Sequence, residues 1–214
     1  MGTQTRARLT GAFMVAVIVA LPGRAAAQTV SAGVEAGINV SDVDFSASDL
    51  TLSFDRRVGG LGGGFVAVDM GRTLGIQIEA LFSQKGTKAA LPDGLGDLKM
   101  RVNYLDIPML LRASLPQAND AVVVRLLTGP TVSARLTDEQ VVDGEVLSDA
   151  DAVALKSYDV GWTVGGAVEF SRRVFIDGRY TFGLVNVSDE SDPMAGDISM
   201  KNRTFSLLFG VRFR

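Results

Sequence analysis

Hydrophobic and polar residues alternate with a period of two along most of the chain from residue 30 onward. In the segment 174–184, for example, Val174, Ile176 and Tyr180 share one face, whereas Asp177 and Arg179 share the other. Such alternation is typical of β-strands that have one apolar and one polar face. The pattern predicts strands over 30–39, 60–70, 73–82, 104–112, 121–136, 158–170, 174–184 and 204–213. Glycines leave the register of the strand at 60–70 open.

The lengths of these segments and of their connections indicate a membrane barrel. The segments have about 10 to 15 residues, and a tilted strand needs roughly 9–11 residues to cross a bilayer. Short turns are predicted at 69–72, 115–120 and 171–173, and long polar loops at 41–58, 84–98, 137–155 and 186–200. Short turns on one side, long loops on the other and an even number of strands are typical of an outer-membrane barrel.

The composition of the two faces supports the same fold. The polar face is rich in Gly, Ser and Thr, which fit a narrow lumen. Ring-bearing residues near strand ends are assigned to the apolar face, where they fit an interfacial girdle; they are Tyr104, Tyr158, Trp162, Tyr180 and Phe213. We therefore predict an all-β fold, an eight-stranded antiparallel up-and-down transmembrane β-barrel. A soluble periplasmic ligand-binding barrel, with its apolar face inward, is the alternative.

The N-terminal segment has the features of a secretory signal peptide. Arg6 and Arg8 precede an apolar run at 11–21, Pro22 and Gly23 end that run, and alanines occupy 25–27. A membrane-spanning helix needs about 20 apolar residues, so the run is too short for an anchor. We predict a signal peptide at 1–27, cleaved after Ala27, and an outer-membrane β-barrel domain at 28–214, with both termini of the mature barrel in the periplasm.

Several segments resemble the PorT-like outer-membrane β-barrel family. The matching segments are 33–39, 78–86, 103–111, Gly129-Pro130, 177–186 and 209–213, and together they extend over residues 30–213. The Tyr-Leu-Asp-Ile-Pro and Arg-Tyr-Thr-Phe-Gly-Leu stretches are the more specific ones. Arg214 departs from the pattern, since such barrels usually end on an aromatic residue. The resemblance implies an eight-stranded barrel without an assigned activity in most members, although one branch takes part in protein secretion and gliding.

The composition excludes several kinds of chemistry. The 214 residues include no His and no Cys, so a Ser-His-Asp hydrolase, a His-ligated metal and a thiolate site are all excluded. Outer-membrane barrel hydrolases and transferases resemble one another in using a catalytic His, and we therefore predict that the protein is not an enzyme. The glycine run 59–64 precedes a strand rather than a helix, which excludes a phosphate-binding loop. The net charge is −3 without a basic stripe among aromatics, so no nucleic-acid partner is predicted.

Ionisable residues recur on the face assigned to the lumen. By parity they are Glu35, Glu79, Asp106, Arg112, Arg125, Arg135, Asp159, Glu169, Asp177, Arg179 and Arg212. Six acids and five bases nearly neutralise one another, and an eight-stranded barrel is only wide enough for its side chains to fill. A buried charge that loses its partner is costly. We interpret the set as a salt-bridged plug, with a narrow ion or solute path as the alternative.

The two predicted loops between 137 and 200 are strongly acidic. They hold Asp138, Glu139, Asp143, Glu145, Asp149, Asp151, Asp189, Glu190, Asp192 and Asp197, with Lys156 as their base. A solvated, repulsive loop surface is one interpretation. The other is a weak Ca²⁺ or Mg²⁺ site, because hard oxygen ligands suit these ions, and Asp189, Glu190 and Asp192 form its densest candidate. No other cofactor is predicted.

Taken together, these patterns predict a small, monomeric outer-membrane barrel with a structural or surface-interaction role. Its lumen is plugged by paired charges, and its long acidic loops are extracellular. A low-flux, porin-like channel is the first alternative, and the soluble periplasmic barrel is the second. The expected partners are outer-membrane lipid, the barrel assembly machinery, and an extracellular or envelope protein.

Overall fold

The computed structural model describes residues 28–46, 54–90, 97–115, 122–142, 145–146, 156–170, 173–185 and 199–213. These segments form the strands β1 (Gln28–Ser46), β2 (Phe54–Met70), β3 (Leu74–Ala90), β4 (Asp97–Ser114), β5 (Val122–Val142), β6 (Glu145–Val146), β7 (Tyr158–Phe170), β8 (Val174–Gly183) and β9 (Ser199–Phe213). A helix long and apolar enough to cross a membrane is not found among the residues described. The predicted signal peptide at 1–27 lies outside them and stays a prediction.

The long strands form a closed antiparallel ring in the order β1, β2, β3, β4, β5, β7, β8, β9, and β9 pairs with β1. The short β6 pairs with the end of β5, where Val141 lies opposite Val146, and extends that strand as a small hairpin. Closure leaves no free sheet edge and pairs the backbone groups within the barrel, as a bilayer requires. The prediction of an eight-stranded antiparallel barrel is confirmed.

The strands are longer than the alternation predicted. β1 has 19 residues and β5 has 21, and β3 continues to Ala90 through a segment that was assigned to a loop. As a result, the connections 47–53 and 91–96 are no longer than 115–121 at the opposite end. The connections 143–157 and 184–198 are longer than those at the opposite end of the barrel, as predicted. Beyond the apolar surface both faces of a strand are polar, so the period-two signal stops although the backbone pairing continues.

An apolar belt surrounds the outside of the barrel. Large hydrophobic side chains there are broadly exposed, among them Val30 (63%), Phe209 (55%), Val34, Ile38, Val66, Ile78, Leu111, Leu126, Val164, Ile176 and Leu207. The interior carries the buried polar and charged residues. A soluble barrel has the reverse arrangement, so the alternative of a soluble periplasmic barrel is wrong.

The structure also fixes two assignments that the sequence left open or misplaced. In β2, Leu61, Phe65 and Ala67 are buried in the lumen, whereas Val66 is 53% exposed, which settles the register of that strand. Tyr104 is 3% exposed and faces inward, so its assignment to the interfacial girdle was wrong. Tyr104 shares the parity of Asp106 and Arg112, the polar face of the same strand. The other four ring-bearing residues lie on the outer surface: Tyr158, Trp162, Tyr180 and Phe213.

Two aromatic rings fill part of the lumen and depend on glycines in the strands beside them. Phe65 and Phe175 pack edge to face with ring centroids 5.6 Å apart. A Cβ atom at Gly210 would lie 2.1 Å from the ring of Phe175, and one at Gly33 would lie 2.3 Å from the ring of Phe65. Any larger residue at these two positions would therefore displace a lumen ring.

Candidate functional site

The candidate site is a network of charged side chains in the lumen. Ten residues assigned to the lumen by parity are all buried, with exposures from 1% to 7%: Glu35, Glu79, Asp106, Arg112, Arg125, Asp159, Glu169, Asp177, Arg179 and Arg212. Arg135, the eleventh, lies at the rim instead, where its side chain is 21% exposed and pairs with Asp138 at 2.7 Å. The buried groups divide into two clusters of opposite charge and two separate contacts.

The first cluster surrounds Arg179 on β8. Its Nε and Nη2 atoms donate to the two carboxylate oxygens of Asp177 at 2.9 and 2.7 Å. Its Nη1 donates to Glu79, and its Nη2 lies 3.3 Å from Glu35. Gln77 adds a hydrogen bond from Nε2 to Glu79 at 2.6 Å. One guanidinium therefore holds three carboxylates, and we call this the acid-rich cluster.

The second cluster surrounds Glu169 on β7. Arg125 donates to its carboxylate, and Nε of Arg212 lies 3.2 Å from the same oxygen. Arg212 also donates from Nη1 to Ser31 at 2.9 Å. Arg112 completes the group, with its guanidinium 3.6 Å from Asp69. Three arginines thus meet one fully buried carboxylate and the 20% exposed side chain of Asp69, and we call this the base-rich cluster.

The two clusters are neighbours. Gln77 and Asp177 line a cavity of about 10 Å³ together with the base-rich residues Arg112, Arg125 and Glu169. A void of that size has room for roughly one water molecule. The excess negative charge of one cluster therefore lies next to the excess positive charge of the other. Such mutual compensation is what makes so many buried charges tolerable.

A separate ion pair lies towards the long-loop end of the lumen. Nζ of Lys85 is 2.9 Å from Asp106 and 4.9 Å from the centroid of the Tyr104 ring. Sequence analysis missed Lys85 because the predicted strand stopped at 82, although Gln77, Glu79 and Lys85 share one parity. Residues 83–88 are polar or glycine on both faces, so no period-two signal marks Lys85.

Asp159 also lies apart from the arginines. It accepts a hydrogen bond from Nδ2 of Asn202 at 2.7 Å, and Asn202 belongs to the part of β9 that precedes the predicted strand at 204–213. The lumen network thus combines arginine clusters with neutral polar contacts. Examples of the neutral contacts are Asn39 to Ser83 at 3.0 Å and Thr131 to Thr163 at 2.7 Å.

The acidic residues at the long-loop end are partly described. Asp138 and Glu139 lie on β5 rather than in a loop, and they pair with Arg135 and Arg101 at 2.7 and 3.4 Å. The predicted Ca²⁺ or Mg²⁺ residues Asp189, Glu190 and Asp192 lie outside the described residues, so that site stays a prediction. Within the described segments, no group of three or more acidic side chains is arranged to hold a metal ion.

A closed barrel with a charged lumen and an apolar outer belt defines the class of integral outer-membrane β-barrels. The chain belongs to the family of the outer membrane protein beta-barrel domain, whose family model matches residues 26–189. It is accordingly an outer-membrane protein. Among curated proteins, none matches the sequence.

Solved structures of other barrels share the fold. OprG from Pseudomonas aeruginosa is 11% identical over 87% of this chain and 97% of its own, with a TM-score of 0.54. Neisserial surface protein A is 12% identical over 86% of this chain and 99% of its own, with a TM-score of 0.50. Ail of Yersinia pestis is 14% identical over 86% of this chain and 99% of its own, with a TM-score of 0.45. At these identities the likeness to OprG and to Neisserial surface protein A is one of fold.

Proposed function

We propose that the protein is a non-conducting, non-catalytic outer-membrane barrel that acts through its extracellular surface. The observation that carries this proposal is the pairing of Arg179 with Glu79, which joins opposite walls of the lumen. Next to that pair, Gln77 and Asp177 line a cavity of about 10 Å³ together with the base-rich cluster. Conduction requires a continuous water-filled path, and a lumen closed at this level lacks one.

If the lumen is closed, the protein acts through the surface at the long-loop end of the barrel. The strands continue well past the roughly 9–11 residues needed to cross a bilayer, with 21 residues in β5 and 18 in β4. This extension carries the ends of the strands above the apolar belt, where an extracellular or envelope protein has access to them. The acidic loops and a weak Ca²⁺ or Mg²⁺ site on them belong to this proposal. So does membership of the PorT-like family, which rests on the sequence segments that resemble it.

Single-channel recording tests the closed lumen. The folded full chain, inserted into a planar bilayer, is expected to show no steady conductance under conditions in which a known porin conducts. Replacing both members of the cross-lumen pair, by Arg179→Ala with Glu79→Ala, removes equal and opposite charges and is expected to open a measurable leak. Arg135→Ala with Asp138→Ala is the matched control, since that pair is partly exposed at the rim.

A steady, ion-selective conductance in the unmodified protein would overturn the proposal in favour of the low-flux channel. Equal leaks from the cross-lumen and rim variants would show that the pair Arg179–Glu79 is not what closes the lumen. Each variant is first checked for the folded barrel by comparing the gel mobility of unboiled and boiled samples.

A further inference from the structure

A cluster of four cationic side chains lies at the long-loop end of β2 and β4, outside the lumen network. Arg56, Arg57, Lys99 and Arg101 line a cavity of about 440 Å³ together with Val58, Thr87 and Met100. Among the described residues, each one that lines this cavity is either cationic or uncharged. We call the four residues the basic rim cluster.

The basic rim cluster is poorly neutralised by the described residues. Arg101 pairs with Glu139 at 3.4 Å, but their side chains are 55% and 44% exposed, and exposed pairs of this kind contribute little. Like charges held this close repel one another. An anion in the cavity would relieve that repulsion.

The position of Arg57 is fixed by the fold. Its Nη1 donates to the backbone carbonyls of Lys85 and Met100 at 3.2 and 3.4 Å, so the half-buried guanidinium is held in place while keeping its charge. Gly86, at φ +148°, provides the space for this arrangement. A Cβ atom there would lie 2.1 Å from the Met100 carbonyl and 3.0 Å from Nη1 of Arg57. The cation is therefore preorganised.

The position of the cluster relative to the apolar belt indicates which anion it binds. Val58 lines the same cavity and is 63% exposed as part of the apolar belt. On β4, Arg101 continues the outward parity of Met109 and Leu111, which belong to the belt. Lys99 and Arg101 thus lie directly above the hydrocarbon-facing surface, at the level where lipid headgroups carry their phosphates. Arg56 pairs with Thr87, which pairs with Met100, so Arg56 shares the inward face of Met100.

We propose that the basic rim cluster binds the phosphate groups of an anionic lipid of the outer leaflet. The planar guanidinium of Arg57 and that of Arg101 match the geometry of a phosphate with two parallel hydrogen bonds, and Lys99 adds a point charge. The proposal rests on the outer-membrane location and not on the closed lumen. A conducting barrel would therefore leave it intact.

Titration of the folded full chain in detergent micelles with bisphosphorylated lipid A, followed by native mass spectrometry, tests the site. Removal of each cation near a membrane surface is expected to weaken binding about fivefold. Arg57→Gln with Arg101→Gln should then weaken it about 25-fold. The matched control, Lys201→Gln with Arg203→Gln, removes two exposed cations from β9 at the same end and should change the affinity less than threefold.

Lys99→Gln is a second test, because it spares the backbone contacts of Arg57 and should weaken binding about fivefold. Lipid A without phosphates is expected not to bind measurably. Equal losses in the rim and β9 variants would overturn the proposal, as would undiminished binding of the dephosphorylated lipid. Displacement of the lipid by millimolar inorganic phosphate would also overturn it and assign the cavity to a soluble anion.

Discussion

Arg179 on β8 pairs with Glu79 on β3 across the full width of the barrel, between strands that lie four places apart in either direction around the ring. Backbone hydrogen bonds hold each strand to its two neighbours and, through strand number and register, set the diameter of the barrel. The cross-lumen pair adds a direct tie between opposite walls. In the closed lumen that we propose, the same contact blocks the path, so that stability and impermeability would have one physical origin.

Arg179→Met is expected to lower the free energy of unfolding by about 3–5 kcal/mol, the usual cost of breaking a buried ion pair by removing one partner. The acid-rich cluster makes this a stringent case, since Glu35, Glu79 and Asp177 would all lose their cation. Urea titration of the folded barrel in lipid vesicles, followed by the fluorescence of Trp162, measures the change. A loss below 1 kcal/mol would mean that the three carboxylates are held by other groups.

Arg112→Met is expected to be neutral or stabilising, although Arg112 is more deeply buried than Arg179. Neither Nη1 nor Nη2 of Arg112 has a hydrogen-bond partner among the described residues, and the Asp69 carboxylate is 3.6 Å away. Removing the charge also relieves repulsion in the base-rich cluster, and exchanging a poorly paired buried ion for an apolar side chain is often favourable. The same urea titration tests this prediction. If Arg112→Met lowered the free energy of unfolding as much as Arg179→Met, the base-rich cluster would not carry the excess positive charge assigned to it.

Period-two alternation predicted the strands and their two faces, because a bilayer outside and a narrow lumen inside favour opposite chemistry on successive residues. Alternation alone could not say which face points inward, and that part of the prediction depended on the predicted signal peptide, the strand lengths and the loop lengths. Alternation also could not predict how the lumen charges pair. The pairing of Arg179 with Glu79 depends on which strands oppose each other around the ring. Lys85 was missed for a different reason: beyond the belt the outer face turns polar, so alternation no longer marks where a strand ends.

Gly210→Ala is expected to destabilise the barrel by about 1–3 kcal/mol, the usual effect of overpacking. The nearest atoms to the added Cβ all belong to the ring of Phe175, so Phe175→Leu in the same chain should restore part of the loss. A double-mutant cycle, measured by urea unfolding, gives the coupling energy between the two sites. Additive effects would show that the glycine is needed for its backbone conformation and not for the space it leaves.

Leu207→Arg tests the depth of the apolar belt. Leu207 is 45% exposed and lies within the outward-facing row of β9, which runs from Phe205 to Phe213. An arginine near the middle of the bilayer costs about 2–4 kcal/mol, and one near an interface about 0–1 kcal/mol.

Phe213→Arg is the matched control, because Phe213 is 55% exposed and ends the same strand. Ile176→Arg extends the test to β8, where the residue pairs with Phe209 of β9 and is expected to behave like Leu207. Refolding yields and urea midpoints in vesicles measure all three variants. If the penalty at Leu207 were no larger than at Phe213, this row would not face hydrocarbon, and the level assigned to the basic rim cluster above it would have to be revised.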